Sequence, residues 1–198
     1  MKINKNETLF VVALEDEAGE KFKDFDLIYT GVGKVNAAYN LTKELYNRKF
    51  KNRLPKYVVN FGSCGSRKFK KGELVACNQF IQRDMMDSDE ATKLTLGKTP
   101  RDTIPMIIEH KKIIEDLDYA ICGTGDNFAT KQSKIEIIEV YDMEAYSLAK
   151  VCYFEEINFI SIKYITDGIN KDGNDDWDKE VISSSDAFYK YINKNLLI

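Results

Sequence analysis

Three carboxylates stand where strand-like segments end. Glu17 follows the apolar run Leu9–Leu14, Glu144 closes Ile135–Met143, and Asp167 closes Phe159–Thr166. In an open α/β sheet the ligand crevice lies beyond the carboxyl ends of the strands, so acids delivered there from distant parts of a chain share one pocket. A pocket with several carboxyl groups, one of which keeps its proton, suits acid–base cleavage of a polar bond. Taken singly, each is also an ordinary solvated acid at a strand end. Their neighbours separate the two readings.

The chain's one histidine, His110, reads as an exposed turn residue within Glu109–Lys112. Zinc sites built on histidine and most Ser-His-Asp triads therefore lack their raw material, and acid–base work falls to Asp and Glu. No metal or cofactor is expected. A formal net charge of −3 with both signs interspersed leaves no basic stripe for nucleic acid. No apolar run approaches the ~20 residues of a membrane span, and the polar Met1–Thr8 has no signal-peptide core. Cys64, Cys77, Cys122 and Cys152 show no Cys-x-x-Cys spacing and read as reduced, buried thiols of a cytoplasmic protein.

The elements that must position the acids alternate. The 198 residues suit one domain over 1–198, and 43% apolar content marks a folding chain. Strands are expected at Leu9–Leu14, Asp26–Thr30, Tyr57–Phe61, Leu74–Ile81, Met106–Ile108, Tyr119–Cys122, Ile135–Val140 and Phe159–Ile165. Helices are expected over Lys34–Phe50, Glu144–Phe154 and from about Asp176 to the C-terminal region. This order predicts an α/β fold: a three-layer α/β/α domain around a central, mostly parallel or mixed twisted sheet.

Several motifs fail on inspection. Gly31-Val32-Gly33-Lys34 lacks the third glycine of a dinucleotide fingerprint and the spacing of a Walker loop, though its backbone suits close approach to a ligand. Asp172, Asn174 and Asp176 imitate a calcium loop, but Trp177 occupies the glycine position. Gly62-Ser63-Cys64-Gly65-Ser66 is not a nucleophile elbow, and its small residues instead let amides and a hydroxyl approach a ligand or water. Phe128, after the glycine turn Gly123–Asp126, reads either as a core aromatic or as a ring that stacks on a planar base.

Together the segments resemble the nucleoside phosphorylase superfamily, and within it the methylthioadenosine/S-adenosylhomocysteine nucleosidases. The matching pieces are ALEDE (13–17), GVGKVNAA (31–38), VVNFGSCGS (58–66), CGTGDNFA (122–129), YDMEAYSLAKVC (141–152) and IKYITDG (162–168), in the family's order. The resemblance implies that Glu17 positions or activates a water and that Glu144 binds ribose hydroxyls with Met143 against the sugar. It implies that Asp167 engages adenine N7 and the 6-amino group, that Phe128 stacks on the base, and that Ser63 lies in the loop beneath the nucleophile. Val32 and Thr166 join these as substrate-binding residues.

The chemistry suits that assignment. An N-glycosidic bond breaks through an oxocarbenium-like state, a carboxylic acid at N7 neutralises the leaving purine, and nearby negative charge stabilises the sugar cation. The superfamily's phosphorylases carry an arginine three residues before the serine matching Ser63; here Asn60 stands there, and Glu15-Asp16-Glu17 replace their glycine and arginine. Phosphate beside Glu17 would be repelled by several kcal/mol at low effective dielectric, so water is the expected nucleophile.

The expected activity is hydrolysis of an adenine nucleoside, such as 5′-methylthioadenosine or S-adenosylhomocysteine. Alternatives are a nucleosidase for another adenosine derivative (the nucleotide or a menaquinone-pathway nucleoside), a purine nucleoside phosphorylase, and a nucleoside-binding or storage protein. The chain departs from the family between Glu17 and Ile28 and around Arg83–Lys112, and carries Asp142 and Lys163 where Glu and Arg are commoner. Family members often complete the 5′ end of the pocket with a neighbouring subunit. Arg83–Asp87, with Met85 and Met86, suits such a contact, and a homodimer is expected.

Overall fold

A computed structural model describes residues 2–85, 96–129, 133–167 and 173–198, with the side chains at 167, 173–179 and 181–182 outside it. Eight strands form one sheet: β1 (Thr8–Val12), β2 (Leu27–Tyr29), β3 (Tyr57–Ser66), β4 (Leu74–Gln82), β5 (Ile108–Glu109), β6 (Tyr119–Thr124), β7 (Val140–Asp142) and β8 (Asn158–Asp167). The helices are a single turn α1 (Glu15–Ala18), then α2 (Lys34–Phe50), α3 (Ala145–Phe154) and α4 (Gly173–Tyr191). Among the described residues no helix is long and apolar enough to cross a membrane.

Period-two alternation sorts the strand side chains into two cores. Leu9, Val11, Val58 and Phe159 face one way, onto Ala37, Leu41 and Leu45 of α2 and Leu148, Ala149 and Cys152 of α3. Phe10, Val12, Val59, Ile160 and Ile162 face the other way, with Phe22 and with Phe188 and Tyr191 of α4. Strands covered on both faces read as continuous apolar runs, which is why β1 is buried at all five positions. The result is the expected three-layer α/β/α arrangement around a mixed sheet.

Parallel pairs join β1 to β2 and β3, β3 to β8, β4 to β6, and β6 to β7. Antiparallel pairs join β3 to β7, β4 to β5, and β4 to β8. The pairings β3–β8–β4–β6–β7–β3 therefore close a ring, leaving β1 and β2 as a parallel flap beyond β3.

Ring closure explains where the structure departs from the expected boundaries. β3 continues through Gly62–Ser66 because β8 pairs with one edge, while Gly65 and Ser66 meet Tyr141 and Val140 on the other. The strand expected at Ile135–Val140 is confined to Val140–Asp142. Ile138 spends its side chain on packing instead: a Cβ on Gly123 would fall 2.6 Å from it. β6 runs on to Thr124, β5 lies at Ile108–Glu109, and α4 begins at Gly173. The Met86 and Asp87 of the expected contact segment, and Asp172 of the calcium-loop imitation, lie outside the described residues.

His110 is not an exposed turn residue. Its ring packs edge-on against Phe80 and Phe159, and Nε2 lies 3.0 Å from the Ala149 carbonyl oxygen. Burial lowers its pKa.

Candidate active site

The ends of these elements converge on one cavity of about 200 Å³, lined by residues from seven separate stretches of chain. Seven of the eight expected site residues border it: Glu17, Val32, Ser63, Phe128, Met143, Glu144 and Thr166. The eighth, Asp167, ends β8 directly after Thr166, and its side chain lies outside the described residues.

Glu17 stands on the one-turn helix α1, which lifts it off the end of β1. Its carboxyl is buried and fully engaged. Oε1 accepts from the Ser63 N–H at 2.9 Å and from the Ser63 hydroxyl at 3.0 Å, while Oε2 accepts from the Leu14 N–H at 3.2 Å. Gly62 supplies the necessary room, since a Cβ there would stand 3.2 Å from Glu17 Oε1 and 3.8 Å from Lys163 Nζ. The small-residue run in β3 thus serves to dock a carboxylate.

Glu144 precedes α3, and its Oε1 accepts from the Gly33 N–H at 2.8 Å. Gly33 has φ +92°, a left-handed conformation that favours glycine and aims this amide at the acid. Burial raises the Glu144 pKa to about 8, with the charges of Asp142 and Glu17 pushing the same way and Lys163 and the Gly33 amide opposing them. Near neutrality it holds its proton.

Beneath these acids lies a pair that neither motif nor periodicity singles out as functional. Lys163 and Asp142 are buried and joined at 2.8 Å between Nζ and Oδ2. Asp142 also accepts from the Thr124 hydroxyl at 2.5 Å and the Ala145 N–H at 2.8 Å, and Thr124 Oγ1 accepts from the Tyr146 N–H at 2.9 Å. Asp142 and Thr124 therefore satisfy the first two free amides of α3, the helix that Glu144 precedes. Burial alone would raise the Asp142 pKa, but the Lys163 ammonium and these hydrogen bonds hold it below the ordinary value. Burial opposes the Lys163 charge, and Asp142 outweighs it, so the Lys163 pKa is raised. The available signal is Lys163 itself, a lone charge within the apolar run Phe159–Ile165.

Arg83, at the end of β4, is a further wall residue, bonded to Asn127 and 5.9 Å from the Tyr141 ring centroid. Among the described residues no group of three or more His, Cys, Asp or Glu is arranged to hold a metal ion. The assembled chemistry is a docked carboxylate, a second carboxyl that retains its proton, exposed Phe128 and Val32 at the edge, and a buried ion pair beneath. That set can accept a proton from water and stabilise a developing cation.

Comparison with known proteins gives this arrangement a context. A family model described as the phosphorylase superfamily matches residues 21–191. A 5′-methylthioadenosine/S-adenosylhomocysteine nucleosidase of Geobacillus sp. (strain WCH70) is 26% identical over 194 residues, covering 87% of this chain and 81% of its own. Two solved Helicobacter pylori structures share the fold at 17% identity and a TM-score of 0.79, each match covering 96% of this chain and 97% of the other. One is a 5′-methylthioadenosine/S-adenosylhomocysteine nucleosidase and the other a futalosine hydrolase mutant. At that identity the likeness speaks for the fold alone.

Proposed function

The chain belongs to the phosphorylase superfamily, and from that membership we propose that it hydrolyses the N-glycosidic bond of an adenine nucleoside, releasing adenine and the free sugar. The observation that carries this reading is the Glu17 carboxyl, held by the amide and hydroxyl of Ser63 on the cavity wall that it shares with Glu144.

In this reading Glu17 takes a proton from the attacking water. Glu144 and Met143 hold the ribose, and Thr166 and Val32 border the bound nucleoside. Phe128 stacks on the purine, and Asp167 protonates it at N7 as it leaves. The ribose gains positive charge as the bond breaks, and an ionised carboxylate close to it lowers the cost of that charge, while the protonated Glu144 serves as a hydrogen-bonding group to the ribose hydroxyls.

Water is favoured over phosphate by the same residues. Asn60 is buried and spends its amide on the Val11 carbonyl at 3.1 Å, with its oxygen accepting from Ser161 at 3.2 Å. Lys163 is engaged by Asp142, and the Arg83 guanidinium is turned onto Asn127. A phosphate dianion placed beside Glu17 would therefore meet a carboxyl and the Asn60 amide already spent, and the one cation lining the cavity among the described residues, Arg83, has its two terminal nitrogens committed to the Asn127 loop.

The 5′ substituent sets the finer choice. The Geobacillus relative is named for methylthioadenosine and S-adenosylhomocysteine, which supports those substrates, and a protein of the same fold named as a futalosine hydrolase makes futalosine a further nucleoside to test. Incubation with a panel of adenine nucleosides differing only at the 5′ position, with adenine release followed by chromatography, tests the reading. Release from at least one member is expected. Binding with no release from any member would leave a nucleoside-binding protein in its place.

A homodimer is part of the proposal. Val35, Tyr39, Tyr46 and Phe50 are all exposed and recur along one face of α2. Val32, exposed just ahead of α2, borders the cavity. A second copy packed on this face would cover apolar surface and reach the cavity mouth.

A further inference from the structure

The loop Gly125–Phe128 after β6 carries the ring assigned above to the purine, and consecutive residues at the end of β4 grip it. Arg83 donates from Nη1 to Asn127 Oδ1 at 2.9 Å, and from Nη2 to the Asn127 carbonyl and, at 3.5 Å, the Gly125 carbonyl. Asp84 Oδ2 accepts from the Asp126 N–H at 2.9 Å. The third tie comes from the start of α2: the Lys34 N–H donates to Asp126 Oδ1 at 2.8 Å, while its Nζ reaches Asp84 Oδ1 at 2.5 Å.

Gly125 belongs to this fit. A Cβ there would lie 2.8 Å from Arg83 Cζ, so a glycine is what lets the planar guanidinium lie against the loop backbone. Among the described residues, Arg83 Nε is the one buried side-chain polar atom without a partner. A buried N–H left unpaired is costly, so stability alone does not explain this placement. Phe128 is 54% exposed, which leaves the polar ties a large share in setting the loop's position. Arg83 and Phe128 line the same cavity.

We propose that Arg83 is a positioning residue: it fixes the Phe128 loop at the purine end of the cavity and so sets affinity for the base, without taking part in bond cleavage. The inference rests on the reading of Phe128 as the stacking residue. It predicts a loss of ground-state binding, which appears in KM and not in kcat.

Arg83→Met removes the ties, and Gly125→Ala keeps the arginine but displaces it. In both, KM for the adenine nucleoside and the dissociation constant of free adenine, read by calorimetry, are expected to rise about tenfold while kcat stays within about threefold. Arg83→Lys, a point charge that cannot bridge two acceptors as a planar fork does, falls between. A purely structural role would lower the thermal midpoint without separating KM from kcat. Unchanged adenine affinity in Arg83→Met and Gly125→Ala, or a loss confined to kcat, would overturn the inference. Wild-type protein that binds adenine yet releases none from any nucleoside overturns the proposed reaction, and the adenine titrations still decide the role of Arg83. Wild-type protein that binds no purine overturns both.

Discussion

Glu17 and Glu144 border one cavity, and their surroundings divide their tasks. Glu17 is docked by two donors from Ser63 and one from Leu14, and in the proposed reaction it takes the proton of the attacking water. Glu17→Gln keeps size and shape but removes that capacity. Turnover is expected to fall ~10²–10⁴-fold, the usual worth of a general base, while calorimetry finds adenine affinity little changed. Near-normal turnover would remove Glu17 from the mechanism. Glu144 carries a different prediction. Its pKa, raised from 4.5 to about 8, means that the folded protein binds a proton which the unfolded chain releases. Its contribution to stability is full below pH 4.5 and declines as pH rises towards 8. The wild-type thermal midpoint should therefore lose ground to Glu144→Gln between pH 5 and 8.5, in the window set by that shift. Parallel profiles for the two proteins would contradict the raised pKa.

At the scale of elements, the buried pair Lys163–Asp142 joins β8, β7 and the start of α3. Removing one partner leaves the other charged and without its counter-ion in a dry interior. Lys163→Met is expected to cost about 3–5 kcal/mol in urea denaturation, and Lys163→Met with Asp142→Asn to recover much of it. Equal losses in the single and double variants would show that the charge pairing is not what matters. The sequence discloses elements in proportion to how locally they are determined. The bounds of α2 are legible because Val35, Ala38, Leu41 and Leu45 suggest the helical period and Gly33 precedes them, but the buried face is Ala37, Leu41 and Leu45, with Val35 turned outward. The extension of β3 through Gly62–Ser66 is hidden, because two distant strands impose it on residues of low strand propensity. Ile135–Val140 misleads in the opposite sense, offering strand-like composition that tertiary packing uses against Gly123. The candidate site follows the same rule. Acids at strand ends are visible in one dimension, whereas the role of Arg83 depends on a loop 42 residues away whose Gly125 leaves space for it.

Taken as a whole, the molecule exposes Val35, Tyr39, Tyr46 and Phe50 on α2, and Val32 just ahead of that helix borders the cavity. Light scattering at micromolar concentration is expected to give the mass of a dimer for the wild type and of a monomer after Tyr46→Lys with Phe50→Lys. A monomeric wild type that turns over at full rate would rule out a shared site.

The proposed reaction requires that water, and not phosphate, attacks the sugar. The most direct test runs the reaction on the preferred nucleoside in isotopically labelled water, with and without added phosphate, and identifies the sugar product by mass spectrometry. Free adenine and a free sugar carrying one labelled oxygen at its anomeric carbon are expected, formed at the same rate in both buffers. Sugar 1-phosphate as the product, or adenine release only when phosphate is present, would contradict hydrolysis.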